Sequence, residues 1–220
     1  MNYLVEIQKH FEPYADEEQS VAMAAYMKNK FRYYGIKAPL RKELLKDFIA
    51  THGKPERKDL SDIVIGLWSL PQREYQYCAM EIAQKSFTKP HPEDILTITY
   101  MLEYKQWWDT IDFIASNLVG NIFSKLPEIR DGYFPAWVNA DDMWLNRTAI
   151  LFQLKYKNET NTDLLESAIK PHLNSKEFFH QKAIGWALRQ YSKHNPDWVK
   201  QFISSHSLSK LSVREASKYL

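Results

Sequence analysis

The stretch MWLNRTAILFQ, residues 143–153, decides the fold because its pattern returns three more times along the chain. The other copies are REYQYCAMEIA at 73–83, QWWDTIDFIAS at 106–116 and FFHQKAIGWAL at 178–188. Each has the apolar spacing of a helix, and successive copies start 33, 37 and 35 residues apart. Such a period is typical of solenoids, in which one helix pair buries its apolar face only by stacking on the next. The similarity is one of pattern more than identity, so a non-repetitive helical bundle remains an alternative.

Glycine and proline fall where helix ends are expected. Gly35 after KFRYY and Gly53 after FIATH fit the position just past a helix, where the backbone turns left-handed. The pair Asn195-Pro196 places a capping residue before a first-turn proline. Ser212 and Glu215 have the spacing of a capping box. The sequence therefore predicts an all-α fold, an α-solenoid of antiparallel helix pairs whose concave inner face binds a partner.

Composition indicates one ordinary globular domain spanning residues 1–220. The chain is 45% hydrophobic and 25% charged, which is enough apolar material for a continuous core. Its aromatic content is high, with seven Trp, thirteen Tyr and eleven Phe. We expect most of these rings in helix packing and some on a binding surface.

Several classes of protein and site find no support in the sequence. The amino terminus lacks a signal-like apolar run, and the longest apolar stretch, Ile63–Trp68, is too short to span a bilayer. Cys78 is the only cysteine, which excludes an internal disulfide and fits a reducing cytoplasm. The seven histidines form no HExxH motif, and the six glycines form no nucleotide-binding loop. We expect a cytoplasmic protein without a membrane segment, metal or organic cofactor.

Positive charge is concentrated in two regions. Residues 28–46 hold seven Lys or Arg and one acid, and residues 176–220 hold eight and three. The whole chain carries a net charge of only +2, so these regions stand against an acidic background. A solvated charged face is the ordinary explanation of one basic run, but two runs interleaved with aromatic residues favour a polyanion such as nucleic acid.

The segment QWWDTIDFI, residues 106–114, places an acid at the edge of the core. Helical spacing predicts a buried stripe formed by Trp107, Ile111, Ile114 and Leu118. Trp108, Asp112 and Ala115 form the adjacent stripe, so an aromatic ring and a partly desolvated carboxylate are neighbours one turn apart. Such an acid is either catalytic or part of a structural salt bridge, for which Arg147 in the next copy is an available partner.

Four segments together resemble a known family. AYMKNKFRYYGIKAPLRKELLK at 25–46, KQWWDTID at 105–112, WLNRTAILFQL at 144–154 and FFHQKAIGWALRQY at 178–191 are similar to bacterial AlkD-type DNA alkylation repair glycosylases. The resemblance covers nearly the whole chain, in the family's order and spacing. It implies a HEAT-like solenoid that works without a metal or organic cofactor.

The resemblance also implies the site residues. The family's catalytic carboxylate falls on Asp112, its sugar-contacting tryptophans on Trp108 and Trp186, and its active-site arginine on Arg147. Tyr26 matches the aromatic residue of the first motif. The basic regions supply the candidates for contact with DNA phosphates, which are Lys28, Lys30, Arg41, Lys182 and Arg189.

The implied reaction is hydrolysis of the base–sugar bond of N3- or N7-alkylated purines in double-stranded DNA. The family grips the backbone and leaves the damaged base stacked, which implies a shallow cleft and tolerance of bulky lesions. We expect the protein to act as a monomer. Two other functions stay open on the residues alone. They are a non-catalytic DNA-binding or damage-sensing solenoid and a protein-protein scaffold, the commonest use of helical repeats.

Overall fold

The computed structural model describes residues 2–220, and this part of the chain is helical with no β-strand; Arg32 and Gln72 form an isolated bridge. The all-α prediction is therefore confirmed. In chain order the α-helices are α1 (Tyr3–Phe11), α2 (Glu17–Tyr26), α3 (Ala38–His52), α4 (Leu60–Ser69), α5 (Arg73–Ser86), α6 (Asp94–Glu103), α7 (Trp108–Phe113), α8 (Gly120–Lys125), α9 (Pro127–Val138), α10 (Met143–Leu151), α11 (Thr162–Ile169), α12 (Phe178–Ser192), α13 (Pro196–Ser205) and α14 (Lys210–Ala216). A π-helical segment, Ile114–Val119, joins α7 to α8. None of the described helices is long and apolar enough to cross a membrane.

Contacts within the chain gather into two compact units, Met1–Lys89 and Pro90–Leu220. Organisation as a single domain stays a prediction. In the first unit, α1 packs against α3 and α4, while α5 packs against α3 and α4. The core of this unit is formed by large apolar side chains with almost no exposed surface, among them Ile7, Phe11, Phe48, Leu67 and Trp68.

The second unit is built from two rows of helices. In one row α10 packs against both α7 and α12, and α12 packs against α14. In the other row α9 and α11 cover α10, and α13 covers α12. Three of the four repeated segments lie in the first row, as α7, α10 and α12. Within this unit the period of the sequence thus corresponds to stacked helix pairs; the concave curvature remains a prediction.

A buried amide recurs at the fourth position of the repeated segments and terminates the helix before it. In the first unit, Gln76 Nε2 donates to the carbonyls of Trp68 and Leu70 at 2.8 and 2.9 Å. In the second unit, Asn146 Nδ2 donates to the carbonyl of Trp137 at 2.9 Å and also reaches those of Val138 and Ala140. The last carbonyls of a helix lack partners within it, so each amide satisfies groups that burial would otherwise leave unpaired. Sequence reasoning missed this role, although the aligned positions of the two residues could have revealed it.

Two of the predicted helix ends are confirmed. Gly53 follows α3 with φ at 83°, and its N–H donates to the carbonyl of Ile49. Asn195 caps α13 by accepting from the N–H of Trp198 at 3.0 Å, with Pro196 in the first helical position.

The helix end predicted at Gly35 is wrong. Helix α2 ends at Tyr26, and the residues before Gly35 are not helical. Gly35 does have a positive φ of 91°, but it does so in a loop held by Glu74. This buried carboxylate accepts from the backbone N–H groups of Tyr34, Gly35 and Ile36 at 3.0–3.1 Å. A contact 40 residues away thus overrides the local helical tendency of this segment.

The capping box predicted at Ser212 and Glu215 is also wrong. Ser209 caps α14 instead, accepting from the N–H of Ser212 at 3.0 Å. Ser212 is inside the helix and donates its hydroxyl to the carbonyl of Gln181 at 2.9 Å. The carboxylate of Glu215 binds cationic side chains rather than the backbone, because α14 packs directly on the basic helix α12.

Candidate functional site

Three aromatic rings from successive repeats fix the relative positions of α7, α10 and α12. Trp107, Trp144 and Phe179 occupy equivalent second positions in their segments. Their ring centroids lie 4.8–5.6 Å apart, with tilted and edge-to-face arrangements that favour aromatic contact. This cluster holds together the three helices that carry the polar residues described next.

Asp112 and Arg147 form a bidentate ion pair between α7 and α10. Arg147 Nε donates to Asp112 Oδ1 at 2.7 Å, and Arg147 Nη2 donates to Asp112 Oδ2 at 2.9 Å. The third nitrogen, Arg147 Nη1, donates to the carbonyl of Phe179 in the first turn of α12 at 2.7 Å. The planar guanidinium therefore fixes the carboxylate in one orientation and ties it to a third helix. The salt bridge considered from the sequence is present.

The two partners differ in exposure. The Arg147 side chain is 5% exposed, whereas that of Asp112 is 17% exposed, so solvent or a ligand can reach the carboxylate more readily than the guanidinium. Burial raises the pKa of Asp112 above its ordinary value, Arg147 lowers it in part, and the charge of Asp109 raises it further. A carboxyl group with a raised pKa in the folded protein opposes stability as pH rises through that pKa. Burial of this acid by itself therefore works against stability, and Arg147 offsets part of that cost.

A π-helical segment directly follows Asp112 and Phe113. Ser116 Oγ donates to the carbonyl of Asp112 at 2.8 Å, and Asn117 Nδ2 donates to that of Phe113 at 2.8 Å. Both donors lie within the π-helical segment Ile114–Val119. Ile111, Ile114 and Leu118 are buried as the predicted stripe requires, and Trp107 is half-buried within the aromatic cluster.

The two candidate tryptophans lie on helices that the ion pair joins. Trp108 is the first residue of α7, one turn before Asp112, and is half-buried. Trp186 is half-buried on α12, two turns beyond Phe179 on the same stripe. Since Arg147 binds both Asp112 and the Phe179 carbonyl, the stripe that carries Trp186 starts at the ion pair.

Lys182 and Arg189 lie on α12 on either side of Trp186 in sequence. Both bind Glu215 of α14, with Lys182 Nζ at 3.1 Å from Oε1 and Arg189 Nη1 at 2.7 Å from Oε2. Both side chains remain partly exposed. Their predicted contact with DNA phosphates stays a prediction, and Glu215 is a partner that sequence reasoning missed.

Three candidate DNA-contact residues of the first unit cluster at the end of α2. Tyr26, the last residue of that helix, is 72% exposed. Lys28 and Asn29 both have φ at 56°, a left-handed conformation that is uncommon outside glycine and concentrates at functional sites. Lys28 and Lys30 are exposed beyond this turn. Their contact with DNA stays a prediction that this exposure favours.

Arg41 differs from the other candidates for phosphate contact. Its side chain is only 10% exposed, and Nη2 donates to Glu81 Oε1 at 2.8 Å. The guanidinium also lies 4.6 Å from the ring centroid of Tyr77. Charge alone made Arg41 a candidate, but burial and these partners disfavour direct contact with a phosphate.

Over residues 2–220, no group of three or more His, Cys, Asp or Glu side chains is arranged to hold a metal ion. The lone Cys78 is buried, and burial raises the pKa of its thiol. A buried thiol with a raised pKa is a weak nucleophile.

Comparison with known proteins identifies relatives. The model of the family described as DNA alkylation repair enzyme matches residues 7–220. A solved structure described as a predicted DNA alkylation repair enzyme from Enterococcus faecalis is similar, with a TM-score of 0.86 and 35% sequence identity. The match covers 94% of this chain and 96% of that one. No curated protein matches the chain.

Proposed function

Because the chain belongs to the DNA alkylation repair enzyme family, we propose that it is a glycosylase that releases N3- or N7-alkylated purines from double-stranded DNA. We place the reaction at Asp112, with Arg147, Trp108 and Trp186 around it. The protein acts as a cytoplasmic monomer that binds the DNA backbone and leaves the damaged base in the stack. Its HEAT-like helix pairs present a shallow cleft rather than a deep base pocket.

The single observation that carries the proposal is the bidentate pair of Asp112 and Arg147. A carboxylate held by two hydrogen bonds keeps one fixed orientation and needs no reorganisation when a positive charge develops beside it. Each carboxylate oxygen offers two lone pairs, and Arg147 occupies one on each. The remaining lone pairs can face a cationic sugar or accept a proton from water.

The chemistry of the substrate suits a lone anion. Alkylation at N3 or N7 leaves the purine positively charged, so the bond between C1′ and the base nitrogen breaks with its electron pair moving to the base. The base leaves neutral, and positive charge moves to the sugar. Water then forms a bond to C1′ and loses a proton to Asp112 or to solvent. No strong acid is needed, because the leaving group carries its own charge.

Trp108 and Trp186 give the developing cation a second source of stabilisation. The faces of indole rings carry partial negative charge and attract cations without competing for hydrogen bonds. Both rings are half-buried, which leaves surface for contact with a sugar.

The direct test is release of free bases. We expect the protein to liberate 3-methyladenine or 7-methylguanine from N-methylated duplex DNA, detected by chromatography of the soluble fraction. Undamaged duplex should yield none, because neutral purines are poor leaving groups. Binding to duplex DNA without any base release would instead favour a damage-sensing role.

Affinity for undamaged duplex should fall steeply as salt rises. Each Lys or Arg contact with a phosphate releases condensed counterions, giving a slope of about −0.9 in the log-log plot for each phosphate neutralised. Lys28, Lys30, Lys182 and Arg189 are the side chains that we expect to contribute. A fluorescence-anisotropy titration at several salt concentrations measures the slope. Binding that does not change with salt would contradict the DNA-binding role and favour a protein-protein scaffold.

A further inference from the structure

Glu215 is a buried carboxylate surrounded by cations. Its side chain is 6% exposed, and it accepts from Lys182, Arg189 and Lys218 at 3.1, 2.7 and 2.8 Å. Arg214 Nη2 lies 3.8 Å from Oε1. A single carboxylate would be neutralised by one cation, so the cluster keeps a surplus of positive charge. Glu215 therefore acts neither as a helix cap nor as one half of a simple ion pair.

The helical positions relate this cluster to Trp186. Lys182 and Arg189 are seven residues apart, so they lie almost on one line along α12, about 10 Å from each other. Trp186 lies beside that line on one side, and Gly185 lies beside it on the other. The two cations therefore stand between the indole ring and the face of α12 that meets α14.

Gly185 explains how Glu215 reaches both cations. A Cβ atom at this position would lie 2.6 Å from Glu215 Cβ and 2.9 Å from the carbonyl of Ser212. Glycine thus lets the backbone of α14 approach α12 closely, with Glu215 between Lys182 and Arg189. A larger residue at position 185 would move the carboxylate away from its partners.

We infer that Glu215 is a positioning residue that presets Lys182 and Arg189 as a phosphodiester-binding site beside Trp186. The occupant is the backbone of one DNA strand at the sugar that Trp186 faces, so the inference rests on the proposed DNA substrate. Free lysine and arginine side chains lose rotamer freedom when they bind a phosphate, and a preset side chain avoids most of that loss. Each preset cation is worth roughly twofold to tenfold in affinity.

Positioning and simple electrostatics give opposite expectations for Glu215→Gln. The substitution adds one unit of net positive charge, which by itself attracts DNA. Loss of the ion pairs with Lys182 and Arg189 releases those two cations, which by itself weakens binding. We expect the second effect to prevail, with about tenfold weaker affinity for undamaged duplex in fluorescence anisotropy at physiological salt. Equal or tighter binding by a folded Glu215→Gln protein would overturn the inference.

A double-mutant cycle separates action through Arg189 from a general effect. In an Arg189→Ala background, Glu215→Gln should cost much less affinity than in the parent, because one of the two cations that it orients is already gone. Lys218→Ala is the matched control, since Lys218 also binds Glu215 but lies outside α12. In that background the loss should stay close to tenfold. Equal losses in both backgrounds would contradict a positioning role.

Two further measurements keep the test decisive. If Glu215→Gln does not fold by its melting curve, Lys182→Ala and Arg189→Ala should each reduce the magnitude of the salt slope by about 0.9. Unchanged slopes would exclude both phosphate contacts and overturn the inference. The binding assays use undamaged duplex, so a protein that binds DNA and releases no base overturns only the proposed reaction.

Discussion

Asp112→Asn should slow single-turnover release of 7-methylguanine about a thousandfold while duplex affinity holds or improves. A carboxylate about 4 Å from a unit positive charge gains roughly 4 kcal/mol at an effective dielectric near 20, and that difference corresponds to about three powers of ten in rate. Arg147 does not reduce the loss, because it stays behind as a buried cation that repels the developing charge. Affinity holds because an anion beside phosphates opposes binding before the reaction and helps only in the transition state.

The control for this substitution is Asp141→Asn. Asp141 is exposed ahead of α10, so the same change of charge is made in the same unit away from the ion pair. If Asp112 serves only as a structural partner of Arg147, the variant should lose thermal stability and lose activity only in proportion to the unfolded fraction. Excision rates and melting curves for both variants separate the two roles. A folded Asp112→Asn protein that excises at the parental rate would rule out a catalytic carboxylate at this position.

Gly35→Ala should destabilise the first unit by about 2–5 kcal/mol, as the sum of two costs. The positive φ of 91° costs an L-residue about 1–2 kcal/mol. A Cβ atom would also lie 2.1 Å from the carbonyl oxygen of Asp16 and 2.7 Å from the N–H of Ser20, and both are backbone atoms that cannot swing aside. Forcing such a shift typically costs a further 1–3 kcal/mol. Chemical denaturation monitored by circular dichroism measures the change in free energy of unfolding.

Gly53→Ala isolates the first of these costs. Gly53 has φ at 83°, but a Cβ atom there would meet nothing within 4 Å. With ψ at 166°, its backbone lies in a region that essentially only glycine adopts, so the substitution should cost about 1–3 kcal/mol, the strain alone. Equal losses for the two variants would show that the close approach to Asp16 is not maintained in solution.

Helical structure was predictable from sequence where local signals governed it. Gly53 and Asn195 end and begin helices through groups within four residues of themselves, so their spacing was sufficient. The prediction that a helix ends at Gly35 was wrong for the opposite reason. The conformation of the segment before Gly35 depends on Glu74, whose side chain binds three backbone N–H groups from about 40 residues away. No pattern within the segment carries that information.

The residues of the candidate site were likewise predictable only where regular spacing in the sequence governed their contacts. Arg147 was identifiable as a partner of Asp112 because both lie at regular places in the repeat, and the structure joins them. Arg41 was chosen by charge alone, and only the fold reveals Glu81 beside it. Glu215 was assigned to a local cap because Ser212 stood three residues before it. Its actual partners become visible only when α14 is placed on α12.

The recurrent amide at Gln76 and Asn146 makes neighbouring helices depend on one another during folding. The last carbonyls of α9 find their partner in Asn146, which belongs to α10. Helix α9 therefore completes its final turn only when α10 has docked, and fraying of either exposes unsatisfied groups in the other. Stability is consequently shared across each such junction, and the paired helices should open and close together in hydrogen exchange rather than one at a time.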